Sequence, residues 1–467
     1  MNSIGMQAEL SNWSKSARSK CVVYPVTDVD GIAGALAAAR AQRLSVIAHG
    51  AGHSYTDAAL NTGGMVIDVT PLHRILAWDA GQGVMRVEPG VTLRQMVQAA
   101  WKDGWWPAVS PSTPEVTAGG CAAMNVNGRN AWKCGPFGAT IISLDVLFPT
   151  GETRTLAPGS EPRLFQAFVG SMGLLGFITS ITVQLQRITS GYVTLRRRSA
   201  ASLDEIFALF AEEEGRSDFM EAWLDGFAGG GQLGRGNLTS AVLAASGEAA
   251  PIPFPKPGLF SRLETPLVRL AVSLGRPLLQ PGVQLANRAN YYLGRLDFAT
   301  AVKQVALVPY TYWPPVAFAG YHAMFTEGVE TFQAFLPAEC APEVFKQALR
   351  YSQTQAIMPL WCIIKRHRSD PFLLSYQVDG FSLELNYQRT AQNAPALKRT
   401  LETMIAAVVE AGGKFYLAKD HFLTHAQYRR SMGDEAVDAF LNLKQRFDPE
   451  TRLQSDLFRR VFMPPQL

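Results

Sequence analysis

Two short segments of this chain have the residue types that let a backbone come close to a phosphate. One is His49-Gly50-Ala51-Gly52-His53-Ser54-Tyr55. The other runs Pro111-Ser112-Thr113-Pro114-Glu115-Val116-Thr117-Ala118-Gly119-Gly120. A nucleotide pyrophosphate needs small side chains and free N–H donors around it. Either segment alone is an ordinary turn-rich loop, but two in one region point to a nucleotide-type cofactor. Gly229-Gly230-Gly231-Gln232-Leu233-Gly234 spells a dinucleotide fingerprint, yet it follows Asp225-Gly226 rather than an apolar strand and opens no helix. A nicotinamide site is therefore rejected. His421 and His425 have metal-like spacing on an expected helix, without the flanking glutamate or a second ligand cluster. The expectation there is a solvated helix face and no metal. No G-x-S-x-G elbow occurs, which removes support for an α/β-hydrolase.

The elements that must position these loops alternate strand and helix signals over the first 190 residues. Lys20–Val26, Leu44–Ala48 and Met65–Val69 read as strands, with a helix over Thr27–Arg40 opened by a Thr/Asp cap. Ile75–Asp79 and Gly83–Glu88 flank a hairpin turn, and Thr92–Gly104 reads as a helix capped by Thr92 and stopped by Gly104. Trp105–Arg129 has no clean period and reads as a binding loop. Ile141–Phe148, Glu152–Leu156 and Gly176–Gln186 are further strands. Residues 191–414 mix both signals, and the tail from Lys414 returns to a short strand and helices. The division expected is 1–190, 191–414 and 415–467.

Of the residues, 47% are hydrophobic and 18% charged, as in a compact folded chain, and the net charge of +4 is too slight for a nucleic-acid binder. Five scattered cysteines without a CxxC pair read as reduced thiols. The polar N-terminus shows no signal peptide, and no apolar run is long enough to span a bilayer. The expectation is a cytoplasmic protein, at most peripheral to the inner membrane face, with residues 249–290 as the surface that would meet lipid.

Several ordered segments resemble the vanillyl-alcohol-oxidase superfamily of PCMH-type FAD-binding oxidoreductases. They are His49–Asp57 with Gly63–Asp68, Val87–Leu93, and Thr117–Gly120 with Asn127–Asn130 and Gly135–Gly138. Ser171–Ile178 closes the set. Within it, the resemblance to the decaprenylphosphoryl-β-D-ribose oxidases extends through Leu10–Lys15, Ala222–Asp225, Gly412–Asp420, Phe447–Pro449 and Ser455–Leu457. It implies an α+β fold: a two-part FAD-binding domain plus a mixed α/β substrate domain with an antiparallel sheet. It implies FAD held by Gly50, Ala51, Gly52, His53, Ser54, Tyr55, Pro114, Thr117, Gly119, Gly120, Asn127, Gly128, Asn130, Gly135, Gly138 and Ile178.

The resemblance also implies a reaction, in which hydride leaves a hydroxyl-bearing carbon for flavin N5 while a base takes the hydroxyl proton. Lys419 falls at the family's active-site lysine, and Tyr312, Lys365 and Glu384 near other polar positions of the pocket. Gln333 and Trp223 are the expected substrate contacts. Each also has a bland reading as a packed or solvated residue. Two departures bear on substrate and cofactor. Glu384 stands where the ribose oxidases carry cysteine, and a carboxylate there could serve as a base or pair with Lys365 or Lys419. Gly52-His53-Ser54 matches the pattern of relatives whose histidine is joined to the flavin, whereas the ribose oxidases have arginine at that position. The expected substrate is a sugar-like or polyol secondary hydroxyl, including a polyprenyl-phosphate-linked sugar. The alternatives are an alditol or aldonolactone oxidase with covalent histidyl-FAD, and a flavin-dependent C=C reductase.

Overall fold

The computed structural model describes residues 5–245, 254, 279–296, 302–312 and 325–464. Most of the expected lipid-facing segment, residues 249–253 and 255–278, lies outside them. None of the described helices is long and apolar enough to cross a membrane.

The fold is α+β. A first sheet joins β1 (Met6–Ser11), β2 (Arg18–Pro25), β3 (Val46–His49) and β4 (Met65–Asp68) in the order β1-β2-β4-β3, with β4 parallel to both neighbours. The helix Val29–Ala41 makes the crossover that parallel pairing requires, and the Asp28 side chain caps it by accepting from Gly31 N at 2.7 Å. The next strands are β5 (Ile75–Asp79), β6 (Val84–Val87) and the two-residue β7 (Trp105–Trp106). They are followed by β8 (Ile141–Leu147), β9 (Thr153–Leu156), β10 (Phe177–Gln184) and β11 (Gln186–Arg187), which pairs with β7. The second sheet has the order β5-β6-β10-β8-β9.

Thr92 caps its helix with a capping box completed by Gln95. That helix ends at Ala100, one turn earlier than expected; a 3₁₀ turn, Trp101–Asp103, follows before Gly104 closes it at φ 75°. The aperiodic stretch after Trp105 holds a second surprise, the helix Ala118–Met124 capped by Thr117. Its alanines and glycines carry no amphipathic period, so the pattern hid it.

A third sheet, all antiparallel, comprises β12 (Tyr192–Ala200), β13 (Phe219–Leu224), β14 (Gly236–Leu243) and β15 (Lys303–Ala306). With them are β16 (Val329–Pro337), β17 (Trp361–His367), β18 (Gly380–Gln388) and β19 (Lys414–Phe415). The order is β15-β12-β14-β13-β17-β18-β16-β19. The helices Ala341–Thr354 and Ala394–Glu410 cover one face, burying Phe345, Leu349, Leu401 and Ile405. The rejected glycine fingerprint is a 3₁₀ turn, Gly230–Gln232, between β13 and β14. All five cysteines are free thiols.

The expected helix through His421 and His425 is corrected. The helix spans His425–Met432 with Thr424 as its cap, and His421 lies before it. Asp420 sets this boundary, since its carboxylate accepts from Phe422 N and Leu423 N and holds a turn there. Among the described residues no cluster of three metal-ligating side chains occurs.

Candidate active site

The uncovered face of the third sheet carries the polar residues. Register places Trp223, Ile363, Glu384 and Gln333 directly across β13, β17, β18 and β16. Two residues along, Lys365 extends the same face, because side chains of a strand alternate with period two. These residues line a cavity of ≈ 510 Å³, a volume within the range of cofactor and substrate sites. Its opposite wall is the Gly50–Tyr55 loop, with Pro111–Thr113, Thr117, Gly120 and Asn127; Tyr416, Ala418 and Lys419 close one side.

Lys419 Nζ donates to Glu384 Oε1 at 2.5 Å and lies 5.2 Å from the centre of the Tyr55 ring. Asn386 Nδ2 donates to the same oxygen at 3.2 Å. Burial alone would push the Glu384 carboxyl up, but the Lys419 and Lys365 ammoniums outweigh it and hold the group below its usual range. Burial pulls Lys419 below the usual lysine value, with Glu384 opposing and Lys365 adding to the fall. Lys365 is itself 3.7 Å from Glu221 Oε2, and Glu221 Oε1 is 3.3 Å from Arg129. The result is a partly buried row of alternating charge, stronger for its lowered dielectric than an exposed counterpart.

The residues of the opposite wall fit a flavin nucleotide. The wall is rich in glycine, alanine, serine and threonine, and a Cβ on Gly50 would fall 2.4 Å from Thr117 Oγ1, so the two loops meet backbone to side chain. His53 stacks on Trp13 at 4.4 Å, and its buried Nδ1 has no hydrogen-bond partner among the described residues. Burial lowers the imidazole's pKa against the opposing pull of the Ala51 backbone and Glu115, so the ring is held neutral.

Of the residues singled out from sequence, the cavity gathers Gly50 through Tyr55, Thr117, Gly120, Asn127, Trp223, Gln333, Lys365, Glu384 and Lys419. The others do not line it. Pro114 accepts from Arg94 N, Gly119 packs on Pro89, and Asn130 Nδ2 donates to Ala108 O. Gly128 backs onto Ser110, Gly135 lies beside Arg368, and Gly138 N donates to Asn125 Oδ1. Ile178 sits in β10. Tyr312 packs against Trp106 at 5.7 Å, and its hydroxyl meets Ser110 Oγ at 3.2 Å. Burial pushes that phenol far above its usual range. Sequence reasoning passed over Trp361, Ile363 and Tyr416, which also line the cavity. The i, i+2 run Trp361, Ile363, Lys365 was the signal that could have found the first two.

Comparison with known proteins supplies the deciding observation. Residues 19–157 match a family model described as an FAD binding domain. The chain is 29% identical to decaprenylphosphoryl-beta-D-ribose oxidase of Mycolicibacterium smegmatis across 97% of each chain. The chain is an FAD-dependent oxidoreductase with a PCMH-type FAD-binding domain. This flavoprotein is also 28% identical to L-gulonolactone oxidase of Mus musculus, over 38% of its own length and 40% of the relative's. It is 28% identical to D-lactate dehydrogenase of Anaerostipes hadrus, over 35% and 36%.

Proposed function

We propose that the flavoprotein oxidises a secondary hydroxyl of a sugar-like or polyol substrate. The observation that carries the reading is the Lys419–Glu384 pair, buried in the cavity and facing the Gly50–Tyr55 loop. FAD, when bound, accepts the hydride; the chain's part is to orient the carbon and manage its proton. Glu384 is held ionised, and both of its hydrogen bonds fall on Oε1, which leaves Oε2 to take the hydroxyl proton. The Lys419 ammonium then stabilises the alkoxide as it forms. Gln333 Oε1 is buried without a partner among the described residues and offers an acceptor for a neighbouring hydroxyl. Trp223 and Trp361 supply apolar walls for the faces of a sugar ring.

The similarity to a decaprenylphosphoryl-ribose oxidase along the whole chain supports a lipid-linked sugar among the substrates. In this reading residues 1–190 hold FAD, 191–414 form the substrate wall, and 415–467 bring Lys419 back to the cofactor. A second reading, a polyol or lactone oxidase with FAD joined to His53, draws support from the neutral, unpartnered Nδ1 of that ring.

The test is anaerobic mixing of the FAD-loaded protein with xylitol, gulonolactone and a short-chain prenylphosphoryl riboside, followed by flavin absorbance. At least one should bleach the wild type, and Lys419→Ala should keep FAD but bleach at least ~100-fold more slowly. Equal rates would remove Lys419 from the chemistry.

A further inference from the structure

The segment Tyr416–Leu423 that carries Lys419 has little regular structure and is held in place by tethers. Tyr55 N donates to Ala418 O at 2.8 Å, and Thr56 Oγ1 donates to Leu417 O at 2.8 Å. Lys419 N and Asp420 N both donate to Tyr416 O, at 2.8 and 3.0 Å. Arg460, from the helix Asp456–Val461, donates to Leu423 O at 2.8 Å and grips both oxygens of Asp57 at 2.7 and 3.0 Å. One more group reaches out of this segment. His421 lies two residues past Lys419, and its Nδ1 is 3.6 Å from Glu330 Oε2 on β16, the strand that also carries Gln333.

We propose that His421 is a positioning residue for Lys419, its contact with Glu330 of β16 fixing the lysine segment against the strand that carries Gln333. The inference rests on the reading of Lys419 as the cation of the reaction. At 3.6 Å the contact is Coulombic rather than a full hydrogen bond, so it depends on the imidazole being charged. The Glu330 carboxylate is buried, and its other oxygen lies 3.7 Å from Arg389. Losing the His421 charge leaves a buried carboxylate less well compensated.

The groups facing His421 are Glu330 from β16, Asp57 from the cofactor loop and Arg460 from the C-terminal helix, with Asp420 beside it on its own segment. Burial disfavours the imidazolium and Arg460 repels it, but Glu330 and Asp57 outweigh both, and the pKa rises above the usual histidine value. A raised folded value means that the bridge is complete on the acid side and lost as pH climbs through that value. The spacing of His421 and His425 imitates a metal pair, but the partner of His421 is a carboxylate on a distant strand.

The test uses sulfite, a nucleophile that bleaches oxidised flavin and binds more tightly when a cation is held close. The FAD-loaded wild type, His421→Gln, His421→Lys and Lys419→Ala are titrated at about pH 6 and about pH 9, on either side of histidine titration. His421→Gln should bind sulfite about tenfold more weakly than wild type at the lower pH and match it at the higher. His421→Lys, a permanent cation, should restore tight binding at both. A wild-type pH response in His421→Gln overturns the proposal. Lys419→Ala separates the two readings: unchanged sulfite affinity there defeats the Lys419 role itself. Weakened affinity there, with a normal His421→Gln, defeats only the bridge. If His421→Gln does not retain FAD, Glu330→Gln serves instead. It should move the pH response to lower pH, and an unmoved response overturns the proposal.

Discussion

Burial around His53 and Glu384 selects the reactive form of each. Burial strips water from His53 and keeps the imidazole neutral, the form that can attack an electrophile, and among the described residues none hydrogen-bonds its Nδ1. Glu384 is more deeply buried, yet the Lys419 and Lys365 ammoniums keep it charged and able to accept a proton. Burial thus gives opposite outcomes, decided by how strongly neighbouring opposite charge opposes it. At this scale the attachment reading makes a direct prediction. Acid precipitation of the purified protein should carry the yellow colour into the pellet, and His53→Ala should release it to the supernatant. Wild-type colour that leaves with the supernatant would end the covalent reading and favour a dissociable flavin like that of the ribose-oxidase resemblance.

The Gly50–Tyr55 loop depends on a contact between elements. Gly50 lies so close to Thr117 that even a methyl group would displace the threonine, which also caps the helix Ala118–Met124 by accepting from Gly120 N at 3.3 Å. Moving it would weaken a cap, at a cost of about 1 kcal/mol, and part the two loops that form the cofactor wall. Gly50→Ala is therefore expected to loosen FAD by roughly tenfold with a small loss of thermal stability. Equilibrium dialysis of free FAD would show it; wild-type affinity would mean that the loops do not need this approach. The third sheet works differently, because register alone aligns Trp223, Ile363, Glu384 and Gln333. A slip of one residue would turn every one of them to the opposite face.

Over the whole molecule, the C-terminal region ties the Lys419 segment to the first sheet. Val46 N donates to Arg452 O, and Gln454 N donates to Val46 O, so residues 452–454 extend the sheet beyond β3. Lys444 locks this return from inside. Its ammonium meets Asp448 Oδ2 at 2.8 Å, Leu453 O at 2.6 Å and Leu174 O at 3.1 Å, all of them buried bonds. Burial lowers the Lys444 pKa while Asp448 opposes the fall. Replacing it by methionine leaves the Asp448 carboxylate buried without its cation. Lys444→Met should destabilise the fold by ~3–5 kcal/mol, read as a lower melting temperature of the FAD-loaded protein. A melting curve like that of wild type would show that the C-terminal return does not depend on this pair.

The sequence by itself determined what acts over a few residues. The Asp28 and Thr92 caps, the hairpin of β5 and β6, and the small residues of the Gly50–Tyr55 loop are all set by neighbours in the chain. So is the nucleotide-cofactor character of the two small-residue loops, which lie within the residues 19–157 that match an FAD binding domain, because close backbone approach to a cofactor demands small side chains. Tertiary structure decided which polar residues meet. Glu384 could have faced away from the pocket as an ordinary strand residue; the pairing of β18 between β16 and β17 put it on the cavity face, where Lys419 reaches it. Tyr312 carried a pocket-like context, yet a hydrophobic cluster around Trp106 claimed its ring. His421 resembled one half of a helical pair, and the turn made by Asp420 aimed it at Glu330 instead. Local patterns record backbone preference, whereas partners dozens or hundreds of residues apart are chosen by strand order and by the charge each site must balance. Thr56 and Leu417 stand 361 residues apart and share a hydrogen bond, which no window along the chain could have shown.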